Sequence, residues 1–248
     1  MNKIHPIIKI ALPILFWCAV WQIGAVALNN SFLFPDIPDT LKALFELIKK
    51  PSFYRAVLFS FIRVTLGLVL GSTVGIALAI LCNKFTLLHS LFSPLITVIK
   101  STPVASFIVV MWVMMSGDAL SIFIGFLMVM PIVWQNLLDG YSAIDKNLIE
   151  VAEIYRFSYA KRLKLLIFPT LKKYLIPALI TASGLAWKAE IAAEIIAYTK
   201  NSIGQGINDA KYNMETPTVF AWTLIIILFS IVLEKLTKYL LWRFKDEH

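Results

Sequence analysis

Six apolar stretches, at about 10–28, 57–82, 90–115, 119–138, 174–197 and 217–241, restrict what this chain can become more than any other feature. Each is about the length at which an α-helix crosses ~30 Å of hydrocarbon. Residues of the AVILMFWYC type make up 59% of the 248 and charged residues 15%, against roughly 45–50% and 25% in soluble domains, so a water-soluble core is not a workable outlet for them. The fold class that follows is all-α, a polytopic membrane helical bundle with about six transmembrane helices.

Charge sets the expected orientation. With the amino terminus in the cytoplasm, 1–9, 83–89, 139–173 and 242–248 face inward, and 29–56, 116–118 and 198–216 face outward. The inner set holds Lys3, Lys9, Lys84, Lys146, Arg156, Lys161, Arg162, Lys164, Lys172, Lys173, Arg243 and Lys245; the outer holds only Lys42, Lys49, Lys50, Arg55, Lys200 and Lys211. This asymmetry is the positive-inside pattern, and it places both termini in the cytoplasm of a multi-pass inner-membrane protein. It also accounts for the net charge of +8 without nucleic acid, since no basic stretch is interleaved with aromatics outside the apolar blocks. Ala25-Val26-Ala27 resembles a signal-peptidase site, but the apolar run from Ile10 to Leu28 exceeds a usual signal core, and a retained span is expected. Residues 1–56 are then a first helix with an outer interfacial segment, 57–241 a core with a cytoplasmic loop at 139–173, and 242–248 a tail.

Within the spans, small residues and charges are the informative exceptions. Gly67, Gly71 and Gly75 recur every four positions in the second span, and Ala186, Ala189 and Ala193 lie in the fifth, giving flat faces on which helices pack closely in lipid. Pro94 and Pro103 are expected to break the third block, which makes Lys100-Ser101-Thr102-Pro103 a candidate stretch of the translocation path. Lys188, Glu190 and Glu194 put charge in the fifth span, where each costs about 2.5–3.5 kcal/mol at the bilayer centre unless it faces protein or water. Their partner is Lys100, Arg63 or a second copy of the chain. Structural pairing near the outer end and a part in substrate passage are both open, with Glu194 placed to reach outer water and Lys188 the stronger pore candidate.

Two outer and inner segments carry helical signals of their own. Leu41 to Ile48 has an apolar face at helical spacing after Asp39 or Thr40 as N-cap, and reads as a helix lying on the outer surface. In the 139–173 loop, Leu148, Ile149, Ala152, Ile154 and Tyr155 follow the Asp145 cap, and a basic stretch from Tyr159 to Leu166 ends at Pro169. That pair of short helices suits anionic headgroups or the groove of a partner. No metal-ligand cluster is present: Cys18 and Cys82 are far apart in apolar segments, and His5, His89 and His248 lie at segment ends.

Glu150-Val151-Ala152-Glu153, with Ser158 and with Pro169 nineteen positions after Glu150, resembles the "EAA" loop of permease subunits of ATP-binding cassette importers. In that family the motif is Glu-Ala-Ala, three residues, Gly, nine residues, Ile, any residue, Leu-Pro. Here Val151 replaces the first Ala, Arg156 the Gly and Phe168 the Leu. The likeness extends to Leu33 through Pro38, Ser60 through Gly67, Ile99 through Ala105, Ala186-Trp187, Ala193-Glu194 and Gly204-Gln205-Gly206, which are similar to the nitrate, sulfonate and taurine type. The resemblance implies a type I importer permease fold of the MetI-like kind, with docking through Glu150, Ala152 and Pro169 onto a separate ATPase. It further implies two ATPase subunits that hold ATP and Mg, a second permease copy as homodimer, an extracytoplasmic solute-binding protein and surrounding membrane lipid. The substrate expected is a small organic anion such as a sulfonate, or nitrate, or a thiamine-precursor-like compound. Arginine disfavours the positive φ that the family's glycine allows, so the two short helices are expected to be joined differently, or Arg156 to make a contact of its own. No Gly-x-x-x-x-Gly-Lys-Ser/Thr loop occurs, so the chain itself is not expected to be an enzyme or to hold a cofactor. A proton-coupled carrier working through Lys188, Glu190 and Glu194 is the alternative.

Overall fold

The computed structural model describes residues 6–115 and 117–242, with side chains described from residue 11 to 241 apart from 116. Expectations for 1–5 and for the tail at 243–248 concern residues outside that set. The described residues form α1 (Pro6–Leu28), α2 (Ile37–Ile48), α3 (Pro51–Lys84), α4 (Thr86–Ser101), α5 (Val104–Met114) and α6 (Asp118–Ser142). Then follow α7 (Lys146–Ile154), α8 (Tyr159–Arg162), a π turn (Leu163–Ile167), α9 (Phe168–Ile196), α10 (Ile203–Tyr212) and α11 (Thr216–Trp242). Five helices among the described residues are long and apolar enough to cross a membrane, and the α4–α5 pair makes a sixth if its two halves count as one span.

The helices start and stop for local reasons that differ in places from the sequence expectation. Asp36, not Asp39 or Thr40, caps α2: its carboxylate accepts from Asp39 N at 2.8 Å, while Thr40 Oγ1 donates back to Asp36 O at 2.8 Å. The second span begins at Pro51, where a proline in the first helical turn removes a donor that has no partner anyway, so the expected division at 56/57 falls inside α3. Pro94 lies inside α4, and the third block breaks only at Thr102-Pro103, where the axis turns by 106°. Pro169 does not end the basic stretch. The π turn widens the helix just before it, with Phe168 N bonded to Leu163 O, so the chain runs on from Tyr159 to Ile196 without a break. The segment 198–216 contains a further helix, α10.

The bundle is built around α3, α6 and α9, which pack against one another, with α11 against α9, α10 and α2. Gly67, Gly71, Gly75 and Ala79 all lie buried on one face of α3, and the three glycines meet α6. Ala186, Ala189 and Ala193 are likewise buried on α9. At Gly71 a Cβ would stand 2.6 Å from Val129 Cβ and 3.0 Å from Phe126 O. Dispersion between such close backbones does in lipid what the hydrophobic effect does in water. By contrast α1 leaves Leu12, Leu15, Trp17 and Ile23 exposed, and is tied to the rest by Trp21 Nε1 donating to Pro35 O and Ile37 N donating to Gln22 Oε1.

Gly71→Leu is expected to lower stability by about 1–3 kcal/mol through overpacking against α6. Gly184→Ala, whose Cβ meets nothing within 4 Å, leaves it nearly unchanged. Thermal unfolding of the two variants in detergent checks the contrast.

Candidate functional site

Charged side chains meet at one end of the α3–α6–α9 core. Arg63, on α3, is almost fully buried and uses its whole guanidinium. Nη1 donates to Glu194 Oε1 at 2.9 Å, Nε to Asp118 Oδ1 at 2.7 Å, and Nη2 to Lys200 O at 3.0 Å as well as pairing with Asp118 Oδ1 at 2.7 Å. Glu194 is fully buried and accepts in addition from Ser60 Oγ at 2.8 Å and from Gly204 N at 3.3 Å. Ser60 Oγ itself accepts from Ile203 N at 3.0 Å. Three charges, Arg63, Glu194 and Asp118, thus tie α3, α6, α9 and the start of α10 into one unit, with the hydrogen-bonding capacity of the buried Arg63 and Glu194 largely filled, the condition under which a buried pair is tolerated.

This corrects the placement of Glu194, expected to reach outer water, because Arg63 on the neighbouring helix is the nearer and better-oriented partner. Glu190, one turn away, is also fully buried, and neither of its carboxyl oxygens has a hydrogen-bond partner among the described residues. Its head occupies a notch where Cβ atoms on Gly67 and Gly125 would overlap it. Lys188 points away from both, is exposed, and makes no ion pair among the described residues. It shares the open face of α9 with Thr181, Gly184 and Leu185. The three charges therefore do not converge, and Lys100 is exposed and not the partner of any of them.

At the α4–α5 break, hydroxyls close the end of the helix. Ser101 Oγ donates to Thr97 O at 2.9 Å and Thr102 Oγ1 to Val98 O at 2.8 Å, while Ser106 N donates to Pro103 O at 3.0 Å. Ile108 of α5 packs against Leu120, Ile124, Ala189 and Ala193, which seats the second half of the broken pair on α6 and α9.

The loop between α6 and α9 is a tied helical hairpin. Asp145 caps α7 through Asn147 N at 2.8 Å, and Ser158 caps α8. At the end of α7, Arg156 N donates to Glu153 O and Phe157 N to Ala152 O, the paired bonds of a Schellman closure. Arg156 supplies the left-handed residue, with φ of +50°. The helices are therefore joined as glycine would join them, not differently as the first of the two expectations had it, because the two backbone bonds and the Arg162–Glu153 pair at 3.1 Å hold the conformation. Lys161 Nζ over the Phe157 ring, 3.9 Å from its centroid, closes the hairpin further. Ala152 is buried and Pro169 half-buried, whereas Glu150, Val151, Glu153, Arg156 and Ser158 are exposed. Leu148, Val151, Ile154 and Tyr155 present an uncovered apolar face, with Ile154 77% and Tyr155 72% exposed. Of this site Asp118 and Gly125 carry no sequence signal, and Ser60 and Gly204 stand out only in the stretches of family likeness. Arg63, a single cation inside an apolar block, was the signal that led toward them.

Residues 53–246 match the family of binding-protein-dependent transport system inner membrane components. Among curated relatives, an ABC transporter permease protein of Methanocaldococcus jannaschii is 26% identical over 98% of this chain and 94% of its own length. The aliphatic sulfonates transport permease protein SsuC of Bacillus subtilis is 26% identical over 86% and 77%, and the taurine transport system permease protein TauC of Escherichia coli 22% identical over 86% and 80%. Among solved structures, a chain of an amino acid ABC transporter with histidines superposes with a TM-score of 0.64 at 17% identity, covering 78% of this chain and 94% of that one. A chain of the MetNI methionine ABC transporter in an inward-facing conformation gives 0.58 at 12% identity, covering 76% and 92%.

Arg63→Leu or Glu194→Leu alone is expected to destabilise the bundle by about 3–5 kcal/mol, because each strands a buried charge, and the double substitution to cost less than the sum. A double-mutant cycle of thermal unfolding in detergent measures the coupling. At Arg156, glycine is expected to leave the hairpin folded, whereas valine, which fits positive φ poorly, loosens it by about 1–3 kcal/mol. Limited proteolysis between residues 143 and 167 reads the difference.

Proposed function

Because the chain belongs to the family of binding-protein-dependent transport system inner membrane components, we propose that it lines the path of a small solute through an ATP-driven importer and receives force from a separate ATPase through the α7–α8 hairpin. The observation that carries this is the uncovered apolar face of α7, Leu148, Val151, Ile154 and Tyr155, beside the exposed Glu150 on a hairpin held by two backbone bonds and an ion pair. A rigid apolar helix face flanked by charge fits a groove in a folded partner better than a fluid headgroup layer. The assembly proposed has two copies of this chain, two ATPase subunits that bind ATP and Mg, and a solute-binding protein outside. Both termini lie in the cytoplasm, in keeping with the distribution of Lys and Arg.

The solute in this reading is a small anion, such as a sulfonate, nitrate or a thiamine-precursor-like compound. Lys188 supports it: an uncompensated cation on the open face of α9, about 12 Å from the outer end of that helix, needs water or an anion opposite it. Relatives named for aliphatic sulfonates, nitrate and taurine fit the same charge. The bent α4–α5 segment with Ser101, Thr102 and Pro103 supplies irregular backbone of the kind that membrane proteins keep for a watery path. The proton-driven alternative is set aside, since family membership places the chain with binding-protein-dependent systems and its three charges serve separate places.

Glu150→Arg is expected to leave the protein inserted and to weaken its hold on the ATPase by roughly tenfold or more, as reversal of a charge within a docking site does. Co-purification of the ATPase with a tagged permease measures this. Retained stoichiometric binding would remove the hairpin from the interface.

A further inference from the structure

A groove of about 310 Å3 runs between α3, α9 and α11 on the lipid-facing side of the bundle, walled by Leu68, Val69 and Thr73 of α3, Leu179 of α9, and Thr237 and Leu240 of α11. It plays no part in the charge network or the hairpin. Its walls are nearly all hydrocarbon, and Val69 and Leu240 are more than half exposed. Two of its three walls carry charge beneath it. On α3 the same stripe continues from Val69 and Thr73 through Ile76 and Ile80 to Lys84, eleven residues or roughly 16 Å beyond Thr73. On α9 the stripe from Leu179 continues through Ile176 to Lys172, seven residues or roughly 10 Å away. Each of two walls thus ends in a lysine at one end of an apolar slot, the spacing of a phosphate from the first half of its acyl chain.

We propose that this groove holds one acyl chain of an anionic phospholipid of the inner leaflet, with Lys84 and Lys172 on its phosphate. The leaflet rests on the topology proposed above, which puts both lysines at the cytoplasmic surface, where anionic lipid draws about 1 kcal/mol per basic residue, close to fivefold in affinity. Charge complementarity favours this occupant over a second copy of the chain, which would have to bury both cations.

The test uses the full-length chain purified from bilayers of mixed phosphatidylglycerol and phosphatidylcholine, with retained lipid identified by native mass spectrometry. The wild type is expected to keep phosphatidylglycerol over phosphatidylcholine by roughly tenfold or more. Lys84→Gln with Lys172→Gln, both outside the packed core, should abolish that preference, and Leu179→Trp should fill the slot and lower retention of both lipids. No preference in the wild type, or an undiminished one in the double glutamine variant, overturns the proposal. So does a change of oligomeric state in Leu179→Trp with lipid retention unaltered, which would assign the groove to a contact between copies. Neither ATPase nor solute enters the measurement, so its outcome is independent of the importer reading.

Discussion

Close approach of α3 to α6 is the constraint from which the remaining architecture follows. In hydrocarbon the helices have no apolar surface to hide from water, and their cohesion depends on how near the backbones come. The stripe of Gly67, Gly71 and Gly75 lets carbonyls of α6 sit where side chains would otherwise intervene. Only with the backbones this near can Glu190 reach from α9 into the notch at Gly67 and Gly125, and can Ser60 and Arg63 meet Glu194. Small residues thus set the distances, and the ionised groups are placed by them. The order matters, since a buried pair is a poor source of stability but a sensitive reporter of register.

The charged residues in the spans divide by what surrounds them. Arg63 and Glu194 face three helices and the amides of α10, and their valences are filled within the protein. Lys188 faces none of these and lies on the open side of the same helix. A single helix therefore presents two chemistries six residues, roughly 9 Å, apart along its axis: a closed ionic joint on its packed side and an open cation on the other. Ala189 and Ala193, packed on α5, form the seam between them.

How much of this was legible in the sequence depended on whether the signal was periodic or local. Block length and the positive-inside pattern sufficed for an all-helical membrane bundle, and the four-residue repeat at Gly67 marked the face that is buried. The partner of Glu194 was legible only as one of three, Lys100, Arg63 or a second copy, and the choice of Arg63 was not, because pairing across helices depends on rotation and depth, which periodicity within one helix does not encode. The α2 cap lies three or four residues before the expected Asp39 or Thr40, since Asp36 stands before the Ile37-Pro38 start that its carboxylate supports. Pro169 and Arg156 misled for a common reason. Rules for proline and for positive φ describe isolated residues, whereas a π turn absorbs the first and two reciprocal backbone bonds hold the second.

The unbroken run from Tyr159 to Ile196 has a mechanical meaning. At the α-helical rise its 38 residues make a rod of roughly 57 Å, with the hairpin hinged at one tip and the Glu194 joint near the other. Such a rod does not dissipate a push in intervening loops; it tilts. Pivoting where it crosses α6, it turns a displacement at the hairpin tip into an opposite one of similar size at the far tip. The π turn, where the hydrogen-bond ladder changes pitch, and Pro177, which removes one bond of that ladder, are the two places where bending strain would collect.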